Sequence, residues 1–102
     1  MEKQQEILNF LGLARRAGKV SLGFDAAAEA VTKHKAKLII IASDISERTR
    51  GAVLKNAETA NVKVIVSAIP MENLGTAVGK LTGIVSVNDE GFVRKLQKLF
   101  GE

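Results

Sequence analysis

The chain of 102 residues contains no Cys, no Trp and no Tyr, and it has one Pro and one His. Without Cys there is no disulfide framework and no thiolate metal site, and His34 alone cannot form a His cluster. Four Phe side chains are too few for single-strand recognition by rows of stacked rings. The longest apolar run, residues 38–42, is too short to span a bilayer, and residues 1–10 lack a signal-peptide pattern. These absences favour a soluble cytoplasmic protein that uses no cofactor and contacts no membrane.

The signatures of common enzymes are also missing. No GxGxxG follows a strand, no GxxxxGK[ST] phosphate loop is present, and no GxSxG elbow occurs. His34 sits among lysines at a predicted helix end, which is typical of a surface residue. The adjacent acids Asp89 and Glu90 are explained by helix capping. Nothing in the sequence indicates catalysis or a metal site.

The composition does predict a folded, basic domain. Hydrophobic residues make up 46% of the chain and the formal net charge is +4. The length fits a single domain, residues 1–102. The excess of positive charge permits contact with nucleic acid but does not prove it. The oligomeric state stays open, with a monomer favoured.

Hydrophobic periodicity predicts helices that alternate with short strands, which is typical of an α/β fold. We expect a three-layer α-β-α sandwich around a small central mixed sheet of about four strands. Residues 19–22 form a short strand or an extended link. The predicted helices are 2–16, 24–35, 47–60, 72–78 and 90–100, and the predicted strands are 38–41, 62–66 and 84–87.

Local residue types mark the ends of these elements and their buried sides. Gly18 suits the position after the first helix, and Asn61 suits the end of the third. Asp89 is placed to cap the last helix. Cap-type residues before the third helix are Ser43, Asp44 and Ser46. The apolar stripes place Leu13, Ala17, Phe24, Ala52 and Ala60, among others, on buried sides.

Residues 17–44 carry the most informative stretch, because a glycine begins a helix among lysines. Gly23 stands where unpaired N–H groups and the positive end of the helix dipole make an anion site. Lys19 precedes it, and Lys33, Lys35 and Lys37 come after it. The stretch therefore predicts a phosphate-facing surface, and the alternative is a packed helix with solvated lysines.

Three segments in this order, AGKVSLG, AKLIIIASDIS and LGTAVGKLTGIVSV, resemble the ribosomal-protein family of L-seven-Ae, L-thirty-e and Gadd-forty-five, in particular its bacterial YlxQ-like branch. The resemblance covers essentially the whole chain. It implies an α-β-α sandwich that binds structured RNA, often a kink-turn with sheared G·A pairs. It also implies that RNA docks on the start of the second helix and on the loop before the last strand.

Carried over by position, the resemblance implies a set of RNA-binding residues. Phe24, Asp25 and Ala26 stand where the family has Thr-Asn-Glu, and Glu29 stands where it has Lys. Residues 80–85 match an apolar loop that packs against a base, and Lys33 and Lys37 could touch the RNA backbone. The full candidate set is Lys19, Gly23, Phe24, Asp25, Ala26, Glu29, Lys33, Lys37, Lys80, Leu81, Thr82, Gly83 and Ile84.

The sequence departs from the family pattern where bases would be read. Ionised Asp25 can accept hydrogen bonds but cannot donate them, and Ala26 can do neither. Glu29 reverses a charge that would face RNA, at a cost of roughly 1 kcal/mol or more. Asp25 can equally be a first-turn acid, and Glu29 the partner of Lys33.

Other candidates also have structural interpretations. Phe24 is expected in the core rather than as a stacking platform. Leu81 and Ile84 fit packing and base contact equally, and Lys33, Lys35 and Lys37 can form a solvated face.

These observations favour a non-catalytic binder of structured RNA, either ribosomal RNA or a kink-turn-containing RNA, linked to the ribosome or to translation factors. A protein-interaction module with weakened RNA binding is the alternative. A third hypothesis is an accessory domain that presents RNA to a modification enzyme.

Overall fold

A computed structural model describes residues 3–101, which form helices and strands in the predicted alternating order. The helices are α1 (Lys3–Arg16), α2 (Phe24–Thr32), α3 (Glu47–Thr59), α4 (Met71–Val78) and α5 (Glu90–Leu99). The strands are β1 (Val20–Leu22), β2 (Leu38–Ile41), β3 (Lys63–Val66) and β4 (Ile84–Val87). The predicted start of the first helix, Glu2, lies outside the described residues.

The four strands form one mixed sheet in the order β1-β4-β2-β3. Strand β2 is parallel to β3 and antiparallel to β4, which in turn is antiparallel to β1. All four residues of β2 are buried, because the strand lies between two others and has helices on both faces. The predicted central strand is thereby confirmed with its boundaries.

Helices cover both faces of this sheet and create two hydrophobic clusters. Leu38 and Ile40 of β2 point into a cluster with side chains of α1, α4 and α5. Ile39 and Ile41 point the other way, into a cluster with α2 and α3. Successive side chains of a strand alternate between faces, so β2 contributes to both clusters. The three-layer α-β-α arrangement is confirmed.

Helix α2 ends three residues earlier than predicted. His34 takes a left-handed φ of 59°, and the N–H of Lys35 donates to the carbonyl of Ala30 over 2.8 Å. This closure turns the chain from α2 towards β2. Asn61 turns the chain after α3 in the same way, with a φ of 58°. Smaller differences of one residue affect the end of α3, the start of β3, the start of α4 and the end of α5.

Several residues predicted to be buried are exposed. Leu13 is 48% exposed, and Ala17, Ala52 and Ala60 are also exposed. The apolar stripes of α1 and α3 are wider than the faces of these helices that pack against the rest of the protein, so residues at the edges of the stripes stay exposed. Phe24 is 41% exposed, which overturns its expected place in the core. It is the first residue of α2, and its ring lies over a crevice between α2 and α3, so solvent reaches its outer side.

Candidate functional site

Three backbone segments meet at one end of the sheet, which we call the loop end: residues 23–26, 42–45 and 80–84. The N–H of Gly23 donates to the carbonyl of Ile84 over 2.9 Å. The N–H of Ala42 donates to the carbonyl of Gly83 over 2.8 Å. These two hydrogen bonds join the start of α2 to the loop before β4. The two segments that the resemblance marks as an RNA site are therefore adjacent in space.

The start of α2 at the loop end offers uncapped N–H groups. Gly23 occupies the N-cap position with a left-handed φ of 93° and has no side chain with which to cap the helix. The N–H groups of Phe24, Asp25 and Ala26 belong to the first turn, which has no intrahelical acceptors, and the helix dipole is positive there. This geometry suits an anion such as a phosphate.

The loop of residues 80–84 is held tightly against α4. The N–H groups of Gly79 and Lys80 both donate to the carbonyl of Gly75, over 2.8 and 3.1 Å. A Cβ atom added at Gly75 would lie 2.8 Å from the Cα of Leu81, so the two backbones approach very closely. Leu81 is nevertheless 71% exposed. The loop therefore displays one large apolar side chain on an immobilised backbone.

Two members of the predicted set have buried side chains. Thr82 is 6% exposed and its hydroxyl donates to the carbonyl of Ile84 over 2.9 Å. Ile84 is 3% exposed and belongs to the cluster under α2 and α3. Of the two alternatives for Ile84, packing is the one observed, because β4 is an inner strand of the sheet. Neither side chain is available to a ligand of the folded protein.

The sequence patterns did not identify the residues that pack against the segments of the loop end. Asp44 was expected before the third helix as a cap, but its carboxylate accepts the N–H of Met71 over 2.8 Å and so caps α4. Ile45 lies over Gly83, where an added Cβ would come within 2.2 Å of the Ile45 side chain. An isolated glycine within a helix, such as Gly75, is the one sequence signal that pointed to close packing.

Three predicted lysines lie at the opposite end of the sheet from Gly23. The carbonyl of Lys19 accepts the N–H of Asn88 over 2.8 Å, and the N–H of Lys37 donates to the carbonyl of Val87 over 2.9 Å. Asn88 and Val87 mark the end of β4, whereas Gly23 bonds to its start. At about 3.3 Å per residue, Lys19 is about 13 Å from Gly23 along β1. Lys33, at the end of α2, is likewise remote from the helix start.

We call this opposite end the lysine end and define it by Lys19, Lys33, Lys35, Lys37 and Lys63. Lys63 joins it because it pairs in register with Leu38, the first residue of β2. All five side chains belong to exposed residues. The structure thus divides the predicted site into a loop end, with backbone donors and Leu81, and a lysine end, with most of the predicted lysines.

Glu29 and Lys33 form an ion pair on the exposed side of α2, with 2.7 Å between Nζ and Oε1. The hydrogen bond from Lys33 and its positive charge lower the pKa of the Glu29 carboxyl below its ordinary value. Burial opposes this by a smaller amount, and the charge of Lys35 lowers the pKa slightly further. The interpretation of Glu29 as the partner of Lys33 is therefore confirmed as a contact.

We expect Lys33→Ala to raise the pKa of Glu29 towards the ordinary value. A carboxyl with a depressed folded-state pKa stabilises the protein above its unfolded-state pKa, and that contribution is lost as the pH falls through the folded-state pKa. The wild-type protein should show this loss in acid, and Lys33→Ala should lack it. A carboxyl NMR titration of both proteins measures the shift directly, with Lys55→Ala as the exposed helical control. An unchanged Glu29 titration in Lys33→Ala would contradict the assigned cause.

The described residues show neither a metal centre nor a membrane segment. Within residues 3–101, no group of three or more His, Asp or Glu side chains could hold a metal ion. No helix in that range has both the length and the apolar character needed to cross a membrane.

Comparison with known proteins gives consistent matches along most of the chain. The model of the Ribosomal protein L7Ae/L30e/S12e/Gadd45 family matches residues 5–97. The RNA-binding protein YlxQ of Enterococcus faecium is 29% identical over 96 residues, which cover 94% of this chain and 92% of that protein. Large ribosomal subunit protein eL30 of Eremothecium gossypii is 35% identical over 92 residues, covering 88% of each.

A solved structure has the same fold. A protein of unknown function from Bacillus halodurans superposes with a TM-score of 0.87 at 33% identity, covering 94% of this chain and 97% of its own. The similarity therefore extends to the full arrangement of helices and strands.

Proposed function

Because the chain belongs to the Ribosomal protein L7Ae/L30e/S12e/Gadd45 family, we propose that it binds structured RNA at its loop end without catalysing a reaction. The observation that carries this proposal is the Gly23–Ile84 hydrogen bond, which joins the N-terminal N–H groups of α2 to the loop that carries the exposed Leu81. An RNA phosphate suits the N–H groups of α2, and an unstacked base suits the apolar side chain. Similarity to a YlxQ protein and to eL30 supports this class of ligand.

The finer proposal is that the RNA is a kink-turn or a related bent element of a ribosome- or translation-associated RNA in the cytoplasm. Backbone N–H groups and a single apolar contact recognise shape and unstacked bases rather than a long base sequence. Asp25 can still accept from guanine N–H groups at this position. The proposed contacts at the loop end are Gly23, Phe24, Asp25, Ala26, Lys80, Leu81 and the backbone of Gly83.

The test is a binding titration of a standard kink-turn RNA and a plain RNA duplex at two salt concentrations. We expect the kink-turn to bind more tightly, and Leu81→Ala to lose about 1.5–3 kcal/mol of kink-turn affinity, the range for burial of a large apolar side chain. Since Leu81 carries no charge, the salt slope should not change.

The side-chain control is Val66→Ala, which removes another exposed apolar group, on the edge strand β3. It should leave both affinities unchanged. Equal binding of the two RNAs, together with no effect of Leu81→Ala, would overturn the proposed site.

A protein-interaction module is the second candidate, and the charge of the loop end favours it. Asp25 and Asp44 lie there, and Glu47 and Glu72 occupy the first turns of α3 and α4. These four acids outnumber the cations of the same end, Arg48, Arg50 and Lys80, and Arg50 is paired with Glu47. Acidic groups repel an RNA backbone and suit a cationic protein surface. Absence of RNA binding in the titration would support this candidate and reject the first.

A further inference from the structure

We propose that the lysine end is a second RNA contact, which holds the phosphate backbone of a neighbouring duplex while the loop end holds its own RNA. This inference rests on the proposed RNA-binding function. It begins from the separation of the two ends, which face away from each other along the strands. A phosphate group bound by Lys19 and Lys37 is therefore not the one bound at Gly23.

The turn between α2 and β2 displays lysines at alternate positions. Lys33, Lys35 and Lys37 are exposed, whereas Ala36 between them is buried. The left-handed His34 and the hydrogen bond from Lys35 to Ala30 set the path of this turn. Because the backbone is anchored at both sides, the lysine side chains project from a defined rim rather than from a free loop.

Lys19 and Lys63 extend this rim across the sheet. Lys19 precedes the edge strand β1, and Lys63 begins the opposite edge strand β3. The turn with Lys35 and Lys37 leads into β2, between these two strands. Arg15 and Arg16, in the last turn of α1, stand just before Lys19 in the chain. Cations therefore span the width of the sheet at this end.

The chemistry of this rim fits phosphate groups better than a protein partner. Protein interfaces are anchored by buried aromatic and large apolar side chains. The exposed large apolar residues of the described chain are Leu13, Phe24, Leu54, Val66 and Leu81. None of these lies in segments 17–19, 33–37 or 60–63. Long cationic side chains without apolar anchors are typical of sequence-independent backbone contact.

The positive charge of the chain is also unevenly distributed between the loop end and the lysine end. The loop end carries Lys80, Arg48 and Arg50 beside four acids, Asp25, Asp44, Glu47 and Glu72, and Arg50 is paired with Glu47, so the free positive charge there is limited. The lysine end has the larger excess of positive charge: its five lysines outnumber Glu58, near the end of α3, and Asp89 and Glu90, at the start of α5, and Lys33 pairs with Glu29 of α2. A duplex that docks at the lysine end would supply the salt-dependent part of RNA affinity, and the loop end would supply selectivity.

The experiment uses immobilised kink-turn RNA, saturated with the full chain, and a fluorescent plain duplex as the second ligand. We expect the wild-type protein to retain the duplex on the captured complex. The variant Lys19→Ala/Lys35→Ala/Lys37→Ala should still be captured by the kink-turn but should retain little duplex. Its salt slope for the duplex alone should fall by about 2.7, since each phosphate contact contributes about 0.9.

The matched control is Arg94→Ala/Lys95→Ala/Lys98→Ala, which removes the same charge from α5, on the other face of the sheet from α2. It should retain the duplex as the wild type does. Capture on the kink-turn without duplex retention by the wild type would overturn this inference and leave the proposed function standing. Equal losses in the two triple variants would also overturn it, because the effect would then follow net charge. Failure of the wild type to bind either RNA would reject the proposed function as well.

Discussion

Replacing Gly75 by alanine is expected to destabilise the protein by about 1–2 kcal/mol. A Cβ at this position would lie 2.8 Å from the Cα of Leu81 and 3.1 Å from the carbonyl oxygen of Lys80. Both are backbone atoms, so α4 and the loop must move apart, and overpacking of this kind costs about 1–3 kcal/mol. The better helix propensity of alanine offsets about 0.5–1 kcal/mol of that cost.

The same displacement should weaken RNA binding, because Leu81 is carried by the segment that moves. The measurements are urea denaturation for the free energy of unfolding and a kink-turn titration at a temperature where the variant is fully folded. Gly51→Ala is the matched control: it lies within α3, and an added Cβ there has no atom within 4 Å. It should stabilise the protein by about 0.5–1 kcal/mol. A Gly75→Ala variant as stable as Gly51→Ala would contradict the close packing of the loop.

Replacing Glu29 by lysine is expected to strengthen RNA binding roughly tenfold, which corresponds to about 1.4 kcal/mol. Glu29 is exposed on α2, one turn beyond the residues that carry the uncapped N–H groups. Its replacement removes a repulsive carboxylate, releases Lys33 from its ion pair and adds a cation near the loop end. The salt slope should become steeper by about 0.9 for each new phosphate contact.

Two further variants separate the causes of this effect. Glu29→Gln removes the negative charge without adding a positive one, and should give part of the gain. Glu6→Lys makes the same charge change on α1, which packs on the other face of the sheet from α2, and should have a small effect. If Glu6→Lys strengthens binding as much as Glu29→Lys, the affinity depends on net charge and α2 has no special role.

The candidate site shows where prediction from sequence was accurate and where it was wrong. The adjacency of the α2 start and the loop before β4 was implied by the family resemblance, and the coordinates place the two segments together. The structure places Lys19, Lys33 and Lys37 at the other end of the sheet from Gly23, because β1 separates Lys19 from Gly23 by about 13 Å and α2 runs between Gly23 and Lys33. A contact of these lysines with RNA stays a prediction. The burial of Ile84 depends on strand pairing, because its partner in β2 is Ile41, 43 positions earlier in the chain.

The sequence by itself determined the features that depend on neighbours within a few residues. The continuous apolar run of β2, the Ser46 and Asp89 caps, and the Glu29–Lys33 pair all follow from spacings of one to four positions. Their energies are local, so the residues involved predict them directly.

Only the tertiary structure decided the features that join distant segments. It placed the Asp44 carboxylate on the N–H of Met71, pressed residues 80–81 against Gly75, and left Phe24 partly outside the core. It also separated the backbone donors from the lysines at opposite ends of the sheet. These outcomes depend on how helices cover the sheet and on which strands pair, and no local pattern of residues encodes that arrangement.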